Sequence, residues 1–303
     1  MRGQTSVAVA VRQPSGQILV HCEPLQGAML KWAKYPLLRG TVVLWETLVL
    51  GVRALLFSAE AALTDEEVKP TSGVAWFTLG VALVLAVGFF FVVPVLITAL
   101  VDPYIHSSPL VSNLVEKVIR LGLLVGYMFG IGHIPDIRRV FAYHGAEHKT
   151  INALEAGEPM NVDTVQRYST AHTRCGTSFL LVVVVVSFVF FLVLGTPPLM
   201  ERVISRIVLI PVVAAVAYEI IRLGATHHEK PWVKALLTPG MALQKLTTRE
   251  PDASQVEVAI AALDRVMAED RLAEAPPEAA KTSAAAPAVL PHPLPAPRPE
   301  AHS

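Results

Sequence analysis

Cysteine is scarce in this sequence: Cys22 and Cys175 are the only two among 303 residues. Two thiols cannot build a disulfide framework, and reduced thiols on a cytoplasmic face are the default. An excess of charge of either sign is also lacking. The 25 Lys and Arg side chains balance 25 Asp and Glu, so there is no whole-chain basic signal for nucleic acid. Charged residues make up only 17% of the chain against 53% hydrophobic ones, and the apolar residues fall in long blocks. With a mean hydropathy of +0.50 this is the membrane class. A signal peptide is not visible, because the first residues are polar and strand-like. Met1-Arg2-Gly3 stands close to the first strand, which leaves open a natural start upstream.

What is present reads in order as a mainly α, polytopic membrane helix bundle with a small N-terminal β-hairpin. Ser6–Val11 and Gln17–Val20 are β-branched runs around a Pro-Ser-Gly turn. Residues 1–40 hold this hairpin and a basic interfacial segment, and residues 41–250 hold the bundle. Within the bundle, Val74–Val101, Val118–Pro135, Ser178–Leu194 and Val203–Leu223 are the expected spans. Thr41–Leu63 carries Glu46, Arg53 and Glu60 seven apart, on one stripe, and reads as a surface helix with a polar edge. Residues 251–275 form an amphipathic helix with Val258, Ala262, Leu263, Val266 and Met267 toward one side. Residues 276–303 are an Ala/Pro-rich disordered tail. Basic residues in the loop 136–178 and after the fourth span place that loop and the C-terminus in the cytoplasm of a bacterial cell, beneath its inner membrane.

The loop carries Tyr143-His144-Gly145-Ala146-Glu147-His148-Lys149. On a helix His144 and His148 share a face, and Glu147 borders it, in the H-x-x-E-H order of an inverted zincin signature. Zinc chemistry needs neutral nitrogens and a carboxylate able to move a proton from water. His172 and Cys175 follow at His-x-x-Cys spacing, and Glu219 interrupts the fourth span. All six are expected at one depth. Two ligand sets for zinc, or another divalent metal, compete. In the open set His144, His148 and Glu219 hold the ion, water takes the fourth place and Glu147 is the base. In the closed set His144, His148, His172 and Cys175 make a structural site. Arg174 is a contact for phosphate or carboxylate. Cys175 with His172 could instead be a nucleophile pair, although a small buried residue is the plainer reading. Glu155 lies two turns beyond His148, too far to share the ion on a straight helix.

At Met1-Arg2-Gly3 with the Ser6–Arg12 strand, Pro36-Leu37-Leu38-Arg39-Gly40, Phe141–Thr150, His172–Phe179, Tyr218-Glu219 and Leu246-Thr247-Thr248-Arg249-Glu250-Pro251 the chain resembles the YqhQ-like family of bacterial membrane proteins. The resemblance runs from the start to about Leu272. It implies a predicted metal-dependent enzyme. The expected function is thus a hydrolase acting on a lipid or membrane-bound substrate at the cytoplasmic face. Membrane lipid is the expected partner, nucleic acid is not, and a homo-oligomer is compatible with the sequence. A scaffold with a structural zinc, or a small-solute transporter, is the alternative.

Overall fold

The β-branched runs pair as a two-stranded antiparallel hairpin, β1 (Ser6–Arg12) with β2 (Ile18–Pro24), in a register that sets Val9 opposite His21. Gly16 takes positive φ in the connecting turn, which suits glycine. The computed structural model describes residues 1–25, 35–62, 72–105, 108–172, 175–226 and 230–274. The interfacial segment before Tyr35 and the Ala/Pro-rich tail lie outside the described residues.

Helices make up the rest. α1 (Leu38–Ala62) is followed by α2 (Ser72–Val87), a π-helical turn (Gly88–Val92) and α3 (Val93–Ile105). These last three form one apolar rod. The π-helical turn ends two residues before Pro94, whose missing N–H and ring bulk disturb the regular ladder. The rod continues through Pro103, beyond the end expected at Asp102. α4 (Pro109–Ile131) begins at a Ser108 cap with proline in its first turn. Then come α5 (Pro135–Glu155), the short α6 (Val162–Val165), α7 (Gly176–Leu194), α8 (Leu199–Val208), α9 (Ile210–Thr226), α10 (Pro231–Thr247) and α11 (Ala253–Glu274).

Among the described residues two helices are long and apolar enough to cross a membrane, Leu38–Ala62 and Trp76–Tyr104. The α8–α9 pair, bent by 47°, makes a third if it counts as one span. Four spans were expected, and the shortfall has physical causes. α4 carries Glu116, Lys117 and Arg120 in its first half, all buried in protein. The apolar part of α7, Phe179–Leu194, is shorter than a spanning helix needs. Between α8 and α9 the chain bends just before Pro211, whose ring disfavours helix at the residue before it. Conversely α1, read from sequence as a surface helix, has the length and composition to span.

The charged stripe of α1 has a definite use. Glu46 pairs with Arg2 at 2.7 Å and Arg53 with Glu23 at 3.0 Å, so the hairpin docks along the middle of the helix. The other face of the hairpin meets α11. Arg12 bridges to Glu257 at 2.6 Å. Asp270 accepts hydrogen bonds from the Gln4 amide (2.8 Å), the Thr5 amide (3.0 Å) and the Thr5 hydroxyl (2.7 Å). α11 therefore uses its apolar side within the molecule: Val256, Ala259, Ala262, Leu263 and Val266 are buried. Val256 and Ala259 share a core with Ala146 and Ala153 of α5 and Val165 of α6. Hairpin, α5, α6 and α11 make a cap that holds the motif helix.

The bonds from Thr5 and Gln4 hold the Asp270 carboxyl below its ordinary range. A carboxyl whose folded value is lowered contributes stability above its unfolded pKa of about 3.9, lost as pH falls through the folded value. Asp270→Asn is expected to speed amide exchange in β1 at neutral pH. It is also expected to reduce the acid-induced loosening of β1 below about pH 4, both read by hydrogen exchange.

Candidate metal centre

The H-G-A-E-H-K stretch lies on α5, and each residue has a distinct place. His144 is half-buried and His148 buried, with ring centroids 4.4 Å apart on one face. Gly145 lets the backbone after α10 approach: a Cβ there would overlap the Arg249 carbonyl oxygen. The Arg249 amide in turn donates to the Phe141 carbonyl at 2.9 Å. Ala146 is in the cap core. Glu147 is exposed. Lys149 is buried, and its Nζ donates to the Gln166 and Tyr168 carbonyls, each at 2.7 Å, and pairs with Glu250 at 2.5 Å.

Cys175 stands at the N-cap of α7, and its sulfur accepts from the Thr177 amide at 3.4 Å. The first turn of α7 thus delivers Sγ toward α5, where His144 Nε2 lies 3.4 Å away. The ligand atoms of His144, His148 and Cys175 all lie within 4.8 Å of one another. Both imidazoles are oriented from behind. His144 Nδ1 is 2.9 Å from the Thr247 carbonyl oxygen, and His148 Nδ1 is 2.6 Å from that of Thr170. A carbonyl only accepts, so each Nδ1 holds a proton and each Nε2 is left toward the sulfur. Outer hydrogen bonds of this kind fix the tautomer of metal-binding histidines.

Burial opposes ionisation of Cys175, but hydrogen bonds from His144, His148 and Thr177 outweigh it and bring the thiol down to about 5. Burial lowers the proton affinity of His144, yet the bonds to Cys175 and the Thr247 carbonyl, with the charge of Glu147, raise it overall. The two shifts act together, toward thiolate on Cys175 and toward the protonated form of His144. A soft thiolate with two imidazoles is a donor set that fits zinc.

The six expected site residues divide. His144, His148 and Cys175 come together. His172 stands beside them, 5.7 Å from His148 between ring centroids, with its Nε2 3.4 Å from Glu155. Glu155, set aside by its distance along α5, thus reaches the site through His172, because the chain folds back. Gln244 clamps the His172 backbone, accepting from its amide at 3.0 Å and donating to its carbonyl at 2.8 Å. Glu147 faces solvent beside His144. Glu219 is placed with a different partner: Arg39 holds it through two nitrogens, one bond being 2.7 Å, and the Leu37 amide adds a third at 3.2 Å. A carboxylate so committed at the start of α1 lies outside the His/His/Cys group. Cys175, and not Glu219, stands with the two histidines. Arg174 lies outside the described residues.

Sequence reading did not assign the partners behind the ligands: Thr170, Thr247, Gln244, Asn152 and Lys149. Asn152 donates to the Ser169 and Ala171 carbonyls at 2.8 and 3.0 Å. A signal for one of them was present, since Leu246–Pro251 recurs as a motif without apolar periodicity. Its chemistry is a backbone carbonyl, which no side-chain pattern displays.

The fold and site define a mainly helical protein with apolar rods and a His/His/Cys cluster under a small mixed cap. Residues 35–269 match the model of the family described as "Protein of unknown function (DUF1385)", and the chain belongs to that family. It is 38% identical over 255 residues to "Uncharacterized protein YqhQ" of Bacillus subtilis (strain 168), covering 80% of each chain. No solved structure matches.

Proposed function

We propose that this protein is a membrane-associated, metal-dependent hydrolase whose ion is held by His144, His148 and Cys175. The observation that carries the reading is the pair of Nδ1–carbonyl bonds, from His144 to Thr247 and from His148 to Thr170. They aim two Nε2 atoms at one thiolate. A histidine pair packed for stability alone has no need of both. Three protein ligands leave a fourth place for water or substrate, the pattern of a catalytic site. Zinc held there would polarise a carbonyl or phosphoryl oxygen, or ease the deprotonation of water.

The chain's own residues supply the rest. Glu147, exposed beside His144, accepts a proton at the rim and passes it to the leaving group. Through its amide, Thr177 donates to the Cys175 sulfur and tempers its charge. Its hydroxyl is also 3.2 Å from that of Thr247. The apolar rods suit a lipid or membrane-bound substrate, presented at the inner face of a bacterial membrane as the basic loops suggest. An apolar face of α11 that is used within the molecule weakens the alternative of a scaffold presenting that helix.

Glu147→Gln is the test of catalysis. It keeps the shape, sits in solvent and touches no ligand nitrogen. It is expected to retain metal at the wild-type ratio while lowering hydrolysis of the best substrate from an ester and phosphoester panel by about 10²–10⁴-fold. Equal activity in the variant and wild type would remove Glu147 from the mechanism. Loss of metal would make it structural.

A further inference from the structure

A second concentration of ionisable groups lies far from the histidines, near the start of α4. Glu116 is roughly four turns, about 22 Å of rise, from the end of α4 at Ile131. Its carboxylate is fully buried and accepts from Arg120 Nη2 at 3.0 Å, Arg202 Nη2 at 3.0 Å and Arg206 Nη2 at 3.1 Å, with Lys117 Nζ at 3.4 Å. Arg202 also reaches Asp102 at 3.1 Å and the Ser112 hydroxyl at 3.1 Å. All four cationic residues are at least 95% buried.

Among the described residues the charges do not balance. Lys117, Arg120, Arg202 and Arg206 contribute four positive charges, while Glu116 and Asp102 return two, an excess of two. Were Lys117 neutral, an excess of one would remain, because guanidinium groups do not give up their proton. The Phe191 ring lies 4.3 Å from Lys117 Nζ and 4.0 Å from the Arg206 guanidinium, and Phe91 faces Arg120 at 5.1 Å. Ring faces ease this excess without cancelling it. Arg120 Nη1 is buried with no hydrogen-bond partner among the described residues. Buried cations without counter-charge are strongly disfavoured, so structures that keep them usually have something to pair them with.

A crevice of about 430 Å³ opens on this network, with Arg202, Ser112 and Asp102 on its polar wall and Pro103, Pro197 and Leu199 on its apolar one. We propose that the crevice binds a phosphate group, held by Arg202 and Ser112 and drawn by the excess charge of Arg206, Arg120 and Lys117 behind them. The planar fork of arginine matches phosphate oxygens, and one or two negative charges restore neutrality. An apolar wall beside a cationic one suits the headgroup of an anionic lipid, and the same chemistry takes a free phosphate.

Calorimetric titration of the full-length protein in neutral detergent separates these sources, with inorganic phosphate in one arm and phosphatidylglycerol micelles in the other. Saturable binding in at least one arm is expected. Response to the lipid alone identifies a headgroup site, and response to both a general phosphate site. Arg202→Gln is expected to weaken binding roughly tenfold or more. Asp102→Asn, which removes a competing carboxylate yet keeps an acceptor for Ser112, is expected to strengthen it severalfold, so the reading survives even if Arg202→Gln fails to fold. His148→Ala is expected to leave binding unchanged, which separates this site from the metal centre. No binding in either arm, or equal affinity in Asp102→Asn and wild type, would overturn the proposal.

Discussion

His148→Ala is expected to abolish metal retention, taking zinc from about one per chain to a trace, and Cys175→Ser to weaken it by more than 100-fold. Both ligands leave gaps that nothing nearby among the described residues is free to fill: His172 is tied to Glu155 and its backbone to Gln244, and Glu219 to Arg39. Loss of an outer-shell partner alone typically costs 10–100-fold in affinity, so loss of a ligand costs more. The protonation states set the sign of the pH dependence. Cys175 is brought to about 5 and stays thiolate well below neutrality. His144, raised in proton affinity, must release a proton before its Nε2 can bind. Zinc affinity is therefore expected to rise with pH until His144 is neutral and then to level. Competition with a chromogenic chelator across pH measures both variants and the slope. Unchanged affinity in Cys175→Ser would remove the sulfur from the coordination set.

Gly145→Ala is expected to be the most damaging single methyl in the cap. Its Cβ would overlap the Arg249 carbonyl and come 3.3 Å from Thr170 Cγ2. Arg249 follows Thr247, which orients His144, and Thr170 orients His148. One added carbon therefore pushes apart both outer shells. Overpacking of this kind costs on the order of 3 kcal/mol, a fall in unfolding temperature of about 5 °C for a chain of this size. Metal retention is expected to fall with it. Gly126→Ala is the control, since a Cβ there meets nothing within 4 Å. If the two variants melt alike, the close approach of α5 to the α10 terminus does not hold in solution.

Much of this arrangement was legible in the residue pattern, and the limits of legibility are physical. Spacing of four on a helix predicted that His144 and His148 share a face. The His-x-x-Cys pair put Cys175 near them, since a chain entering α7 from the same side can do little else. The hairpin followed from two β-branched runs and a turn. What was not legible depended on long-range contact. A carboxylate in an apolar run, such as Glu219, reads alike whether it meets a metal or an arginine 180 residues earlier. The stripe of α1 reads alike whether it meets water or the hairpin. Span counting failed on α4 for the same reason: the helix begins at Pro109 and takes in Glu116, whose arginine partners on α8 no window of hydropathy can see. Thr170 and Thr247 act through carbonyls, which every residue has.

Zinc K-edge absorption on the purified wild-type protein tests the central claim most directly. A His144/His148/Cys175 centre predicts about one zinc per chain, with two imidazole nitrogens near 2.0 Å, one sulfur near 2.3 Å and one further oxygen from water. A shell of three imidazoles and one sulfur would mean that His172 closes the site as a structural one. A protein that takes up no zinc would contradict the metal centre altogether.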